Sequence, residues 1–90
     1  MDIHLLHALS FVKQEPEDED FYYYDLNLPG GLSLITNCND EAELEGWRVF
    51  IFQTDPSLEF KEDLDLIQFI SLIKRLTLTP WEHQKDTTEI

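Results

Sequence analysis

Between Glu15 and Asp65 the chain carries fifteen acidic residues and two basic ones, Arg48 and Lys61. This stretch alone therefore nets −13, equal to the formal charge of the whole 90-residue sequence. Any fold built on it must hold these carboxylates at the surface, because burying an unpaired charge is costly and crowded like charges oppose compaction. The acids fall into three clusters, 15–20, 40–45 and 59–65, and leave the segments between them to supply a core. Those segments suffice: 42% of the residues are hydrophobic, with six Phe, three Tyr and two Trp, which argues against a wholly disordered chain. A chain this short forms one domain and buries roughly 60–65% of the surface it exposes when unfolded. That leaves little room for an enclosed active-site cavity.

The periodicities predict an α+β fold. Over residues 2–13, Ile3, Leu6 and Leu9 recur near helical spacing behind a capping Asp2; an edge strand is the alternative. Residues 15–20 form an acidic connector broken by Pro16. Phe21 to Leu28 alternates as a strand, with Phe21, Tyr23 and Asp25 on one face and Tyr22, Tyr24, Leu26 and Leu28 on the other. Pro29-Gly30-Gly31 marks a turn, and Leu32 to Thr36 is the return strand. Asn37 to Gly46 reads as a polar loop. Trp47 to Phe52 is a third strand, apolar on both faces, and Leu58 with Phe60 offers a short edge strand. From Leu64 to Leu76, Leu66, Phe69, Ile70, Ile73 and Leu76 follow the helical period, with acids before them and Lys74 and Arg75 at the end. The expected architecture is a small antiparallel sheet of three to four strands with an N-terminal helix and a C-terminal helix packed on it. It forms a single domain over residues 1–76. Residues 77–90 read as a poorly ordered tail with Trp81 as an anchor.

Nothing in the sequence assembles a catalytic set. Gly30-Gly31 lacks the spaced glycines, lysine and following helix of a phosphate loop. His4 and His7 would lie one helical turn apart, but nothing places further metal ligands beside them. The carboxylates near Cys38 disfavour a reactive thiolate. Paired acids such as Asp18 and Asp20, Asp40 and Glu41, or Asp63 and Asp65 would need a cleft to do acid–base work. Asn37 to Glu45 departs from the calcium-loop pattern. No cofactor, no metal and no enzymatic activity are expected. One cysteine allows no internal disulfide. The N-terminal residues lack the basic region of a signal peptide, and no apolar run reaches the ~20 residues of a membrane span. The reading is a soluble cytoplasmic protein.

The charge itself then points to a partner. It repels nucleic acid and anionic membranes and attracts basic protein surfaces. The residues expected to meet such a surface are Glu17, Asp18, Glu19 and Asp20 of the first cluster, Tyr22 beside it, and Asp40, Glu41, Glu43 and Glu45 of the second. In size, charge and α+β pattern the whole chain resembles the small acidic inhibitors encoded by phages and mobile elements, including anti-CRISPR proteins and nucleic-acid mimics. That resemblance implies an inhibitor in the cytoplasm of a bacterial host, bound to the basic nucleic-acid channel of a nuclease such as a CRISPR-associated effector. Immunity or antitoxin-like proteins, which neutralise toxin nucleases through acidic faces, share these features. A general protein–protein interaction module with no nucleic-acid connection is the third reading.

A chain this charged is destabilised by its own repulsion. Moderate salt is expected to raise the melting temperature by screening the acids. Thermal melts across a salt series check this, and a constant or falling value would mean that the carboxylates are already compensated.

Overall fold

The hairpin around Pro29 organises the molecule. In the computed structural model, which describes residues 1–76, strand β2 (Tyr23–Asn27) pairs antiparallel with β3 (Ser33–Thr36), so that Leu26 faces Leu34 and Asp25 faces Ile35. A single 3-10 turn, Pro29–Gly31, joins them, with Gly30 at a φ of 85° that side chains disfavour. Strand β1 (Val12–Gln14) adds outside β2, and β4 (Val49–Ile51) and β5 (Leu58–Phe60) add in turn outside β3. The result is a five-stranded antiparallel meander in chain order. Helix α1 (Ile3–Ala8) precedes it, α2 (Asn39–Glu45) links β3 to β4, and α3 (Asp63–Leu76) follows it.

The alternation read from the sequence sorts the strands correctly. Tyr24, Leu34 and Val49 point to one face and join Leu6 and Phe11 from the N-terminal segment and Leu66 and Ile70 from α3 in a single buried cluster. Phe69 of α3 meets Phe60 of β5 with ring centroids 5.1 Å apart. Both α1 and α3 therefore cover the same face. The other face, which carries Tyr23, Asp25, Ile35 and Phe50, is half-exposed.

Several expectations need correcting. The strand count is five, not three to four, because residues 2–13 do not form one helix. Helix α1 stops at Ala8, Ser10 takes a φ of 72°, and Phe11 drops into the core. The chain then leaves in extended form, and Val12–Gln14 finds the free edge of β2. The segment Asn37–Gly46, expected as a loop, contains helix α2. Its glutamates, Ala42 and Leu44 favour helix, Asp40 and Glu41 sit in its first turn, and Gly46 ends it at a φ of 85°. The third strand is shorter than expected and is covered on one face only. The expected tail 77–90, with Trp81, lies outside the described residues. Among the described residues no helix is long and apolar enough to cross a membrane.

Docking of α3 rests on its two buried residues. Leu66→Ala or Ile70→Ala is expected to cost about 2–5 kcal/mol. Leu72→Ala, at a side chain 41% exposed, is expected to cost less than about 1 kcal/mol. Urea denaturation of the three variants measures the difference, and equally small losses would mean that α3 packs through another face.

Candidate functional site

In an up-and-down meander, alternate connections emerge at the same end of the sheet. The link from β1 to β2 carries Glu15, Glu17, Asp18, Glu19 and Asp20; that from β3 to β4 carries Asp40, Glu41, Glu43 and Glu45 on α2; and the chain leaves β5 through Glu62, Asp63 and Asp65. Five, four and three acids, twelve of the nineteen in the chain, thus gather at one end. Here the fold brings together all nine residues that the sequence singled out. The opposite end holds the Pro29–Gly31 turn and the loop 52–57, with Asp55 its one acid. Helix α3 packs Leu66 and Ile70 into the core and carries Lys74 and Arg75 in its last turn, away in sequence from the acids at its start. The charge is therefore strongly polarised along the strands.

Short polar side chains hold this end together. Asn39 accepts a hydrogen bond from the Tyr22 backbone N–H at 2.8 Å, and its own N–H donates to the Tyr22 carbonyl at 2.9 Å. This pair fixes the first acidic connector to the start of α2. Buried Thr36 accepts from the Tyr24 N–H at 2.9 Å and donates to the Asn37 carbonyl at 2.8 Å. Buried Asn37 accepts from the Arg48 N–H at 3.0 Å and donates to the Gly46 carbonyl at 3.1 Å, which closes the helix back onto β4.

Two concavities flank Tyr22. One is an acidic bay lined by Glu15, Glu17, Glu19 and Asp20 together with Phe21 and Tyr22. The other is an open cleft of about 260 Å³ between α1 and α2, lined chiefly by Ile3, Tyr22, Tyr24, Ala42 and Trp47. Tyr22 itself is half-buried. Its ring lies 6.1 Å from Tyr24 and 6.2 Å from Trp47, with the Lys13 ammonium 4.1 Å from its centre. It supports the packing as well as lining the surface. Leu44, by contrast, projects from α2 between Glu43 and Glu45 and is 88% exposed.

Basic neighbours neutralise little of this charge. Lys13 reaches Glu15 at 3.2 Å. Arg48 donates two hydrogen bonds to Glu59, at 2.9 and 3.0 Å, and lies 3.8 Å from Glu45. The doubly bonded guanidinium holds the Glu59 carboxyl below the usual glutamate range. Among the described residues, Glu17, Asp18, Glu19, Asp20, Asp40 and Glu43 have no ion-pair partner. His4 is exposed on α1 and His7 stands edge-on to Tyr24; Cys38 Sγ lies 3.5 Å from Glu41 Oε1.

The sequence reading missed Asn39, Trp47 and Leu44 as parts of this end. The run of helix formers from Glu41 to Glu45, bounded by Asn39 and Gly46, was the available signal for α2. No such local signal marks Asn39, whose partner lies seventeen residues earlier in the chain. The chain matches no protein-family model, and no curated protein or solved structure is significantly similar to it.

Removing the Asn39 side chain leaves the Tyr22 N–H without its acceptor. Asn39→Ala is expected to cost about 1–3 kcal/mol and to speed amide exchange at Tyr22 and over α2 more than in the hairpin. Native-state hydrogen exchange checks this; uniform acceleration across the sheet would show that the contact is not local to the acidic end.

Proposed function

We propose that this protein is a non-enzymatic inhibitor that binds the basic nucleic-acid-binding surface of a nuclease with its acidic end. A CRISPR-associated effector is the target that the resemblance points to, and the cytoplasm of a bacterial host is the place of action. The observation that carries the reading is the gathering of three separate acidic clusters at one end of the sheet. Acids needed only for solubility gain nothing from that crowding and suffer more mutual repulsion.

A basic channel that grips nucleic acid holds lysines and arginines in register with phosphates spaced about 3.4 Å along each strand. Carboxylates offered from a helix and a connector can occupy the same side chains, and bidentate arginine–carboxylate pairs add geometric fit. Glu41 and Glu45 stand one turn apart on α2, about 6 Å along its axis. The exposed Leu44 adds apolar surface at the centre of the charge, and burying it on a partner contributes roughly 1.5–3 kcal/mol. Inhibition then follows from occupancy: guide or target nucleic acid is excluded from the channel that the acidic end fills.

The test is capture of a nuclease from a lysate that contains one, followed by binding kinetics with the purified pair. Association is expected to slow steeply with added salt while dissociation changes less. Lysine substitutions at Glu17, Asp18, Glu19 and Asp20 together, or at Asp40, Glu41, Glu43 and Glu45 together, are expected to weaken binding at least tenfold, or about 1.4 kcal/mol, with the far-ultraviolet spectrum unchanged. Normal binding by both variants, with association flat in salt, would reduce the acids to solubilising groups.

A further inference from the structure

We propose that the uncovered face of the sheet carries a binding cleft for one guanidinium group, presented as the arginine side chain of a partner protein. This cleft lies on the face opposite α1 and α3 and does not depend on the reading of the acidic end. It has a volume of about 200 Å³ and lies among Tyr23, Asp25 and Asn27 of β2, Ser33 and Ile35 of β3, and Phe52 beyond β4. That volume falls below the roughly 300 Å³ at which sites for drug-sized ligands begin, so it suits a single side chain.

The lining has the chemistry that recognises a planar cation. Ser33 and Ile35 line the cleft together with two aromatic side chains, Tyr23 on β2 and Phe52, whose N–H bonds the Ser33 carbonyl at 2.9 Å. Asp25 is half-buried, and one of its carboxylate oxygens accepts a hydrogen bond from Gln14 Nε2 at 3.0 Å. This contact holds the group in place, and among the described residues Asp25 has no basic partner. Asn27 is fixed similarly by the Ser33 hydroxyl at 2.8 Å. The one arginine on this face, Arg48, is engaged by Glu59. A carboxylate and two aromatic side chains lining one cleft favour arginine over lysine. The guanidinium stacks on rings and donates in a plane, whereas an ammonium is a strongly hydrated point charge.

Titration of the full chain with N-acetyl-arginine amide at constant ionic strength, followed by NMR, tests the assignment. The expected result is saturable shifts at Tyr23, Ile35 and Phe52 with a Kd of about 1–10 mM, and severalfold weaker binding of N-acetyl-lysine amide. Asp25→Asn, which keeps the acceptor for Gln14, is expected to weaken arginine-amide binding about tenfold. Phe52→Ala, at a side chain 47% exposed, should weaken it with the fold intact. Equal binding of the lysine amide, no effect of Asp25→Asn, non-saturating shifts, or shifts confined to residues 15–20 and 39–45 would each overturn the proposal.

Discussion

Three side chains at the end of the third strand and just beyond it, those of Thr36, Asn37 and Asn39, hold the acidic end of this molecule together. Strands β2, β3 and β4 run out of ladder hydrogen bonds there, and the chain must turn twice through segments that repel one another. Amide and hydroxyl groups bond the backbone of Tyr22, Tyr24, Gly46 and Arg48 instead. Uncharged side chains suit this task, because each can donate and accept without adding to the local field. With Thr36 and Asn37 almost wholly buried, each bond also meets the requirement that buried polar groups be satisfied. The latch thus lets one end of a small domain carry most of its negative charge without prying the sheet apart.

The polarisation follows from topology. A meander returns to the same end at every second connection, so acids placed in the first and third links, and after the last strand, collect together. The intervening turns are built from Pro, Gly, Thr and Ser and hold few charges. Within the sheet the acids are managed individually: Glu59 by Arg48 and Asp25 by Gln14. The core needs no polar compensation beyond Thr36 and Asn37, and its apolar members lie on a single face. That economy leaves the opposite face, with Tyr23, Ile35 and Phe52, open as a second surface.

Much of this was legible in the sequence because it is local. Period-two alternation sorted Tyr24, Leu34 and Val49 from Tyr23, Ile35 and Phe50, and period 3.6 found α3. Gly30 marked the hairpin. The misreadings share a cause: the decisive contact is distant. Phe11 looks like the continuation of a helical stripe until the core captures it and frees Val12–Gln14 to pair with β2. Residues 37–46 read as a polar loop until Asn39 is anchored to Tyr22 and Asn37 to Gly46 and Arg48. The sequence also listed the acidic clusters without indicating that they converge, since convergence depends on strand order. Leu44 was hidden among glutamates, and only the helix shows that it points outward.

The central claim is that the acidic end is the surface a partner covers. Hydrogen-exchange footprinting of the protein alone and in complex with its captured nuclease tests this most directly. The account expects added protection at residues 15–22 and 39–47, with the Pro29–Gly31 turn and the last turns of α3 unchanged. Protection confined to the turn, to loop 52–57 or to α3, with residues 15–22 and 39–47 exchanging as in the free protein, would contradict it.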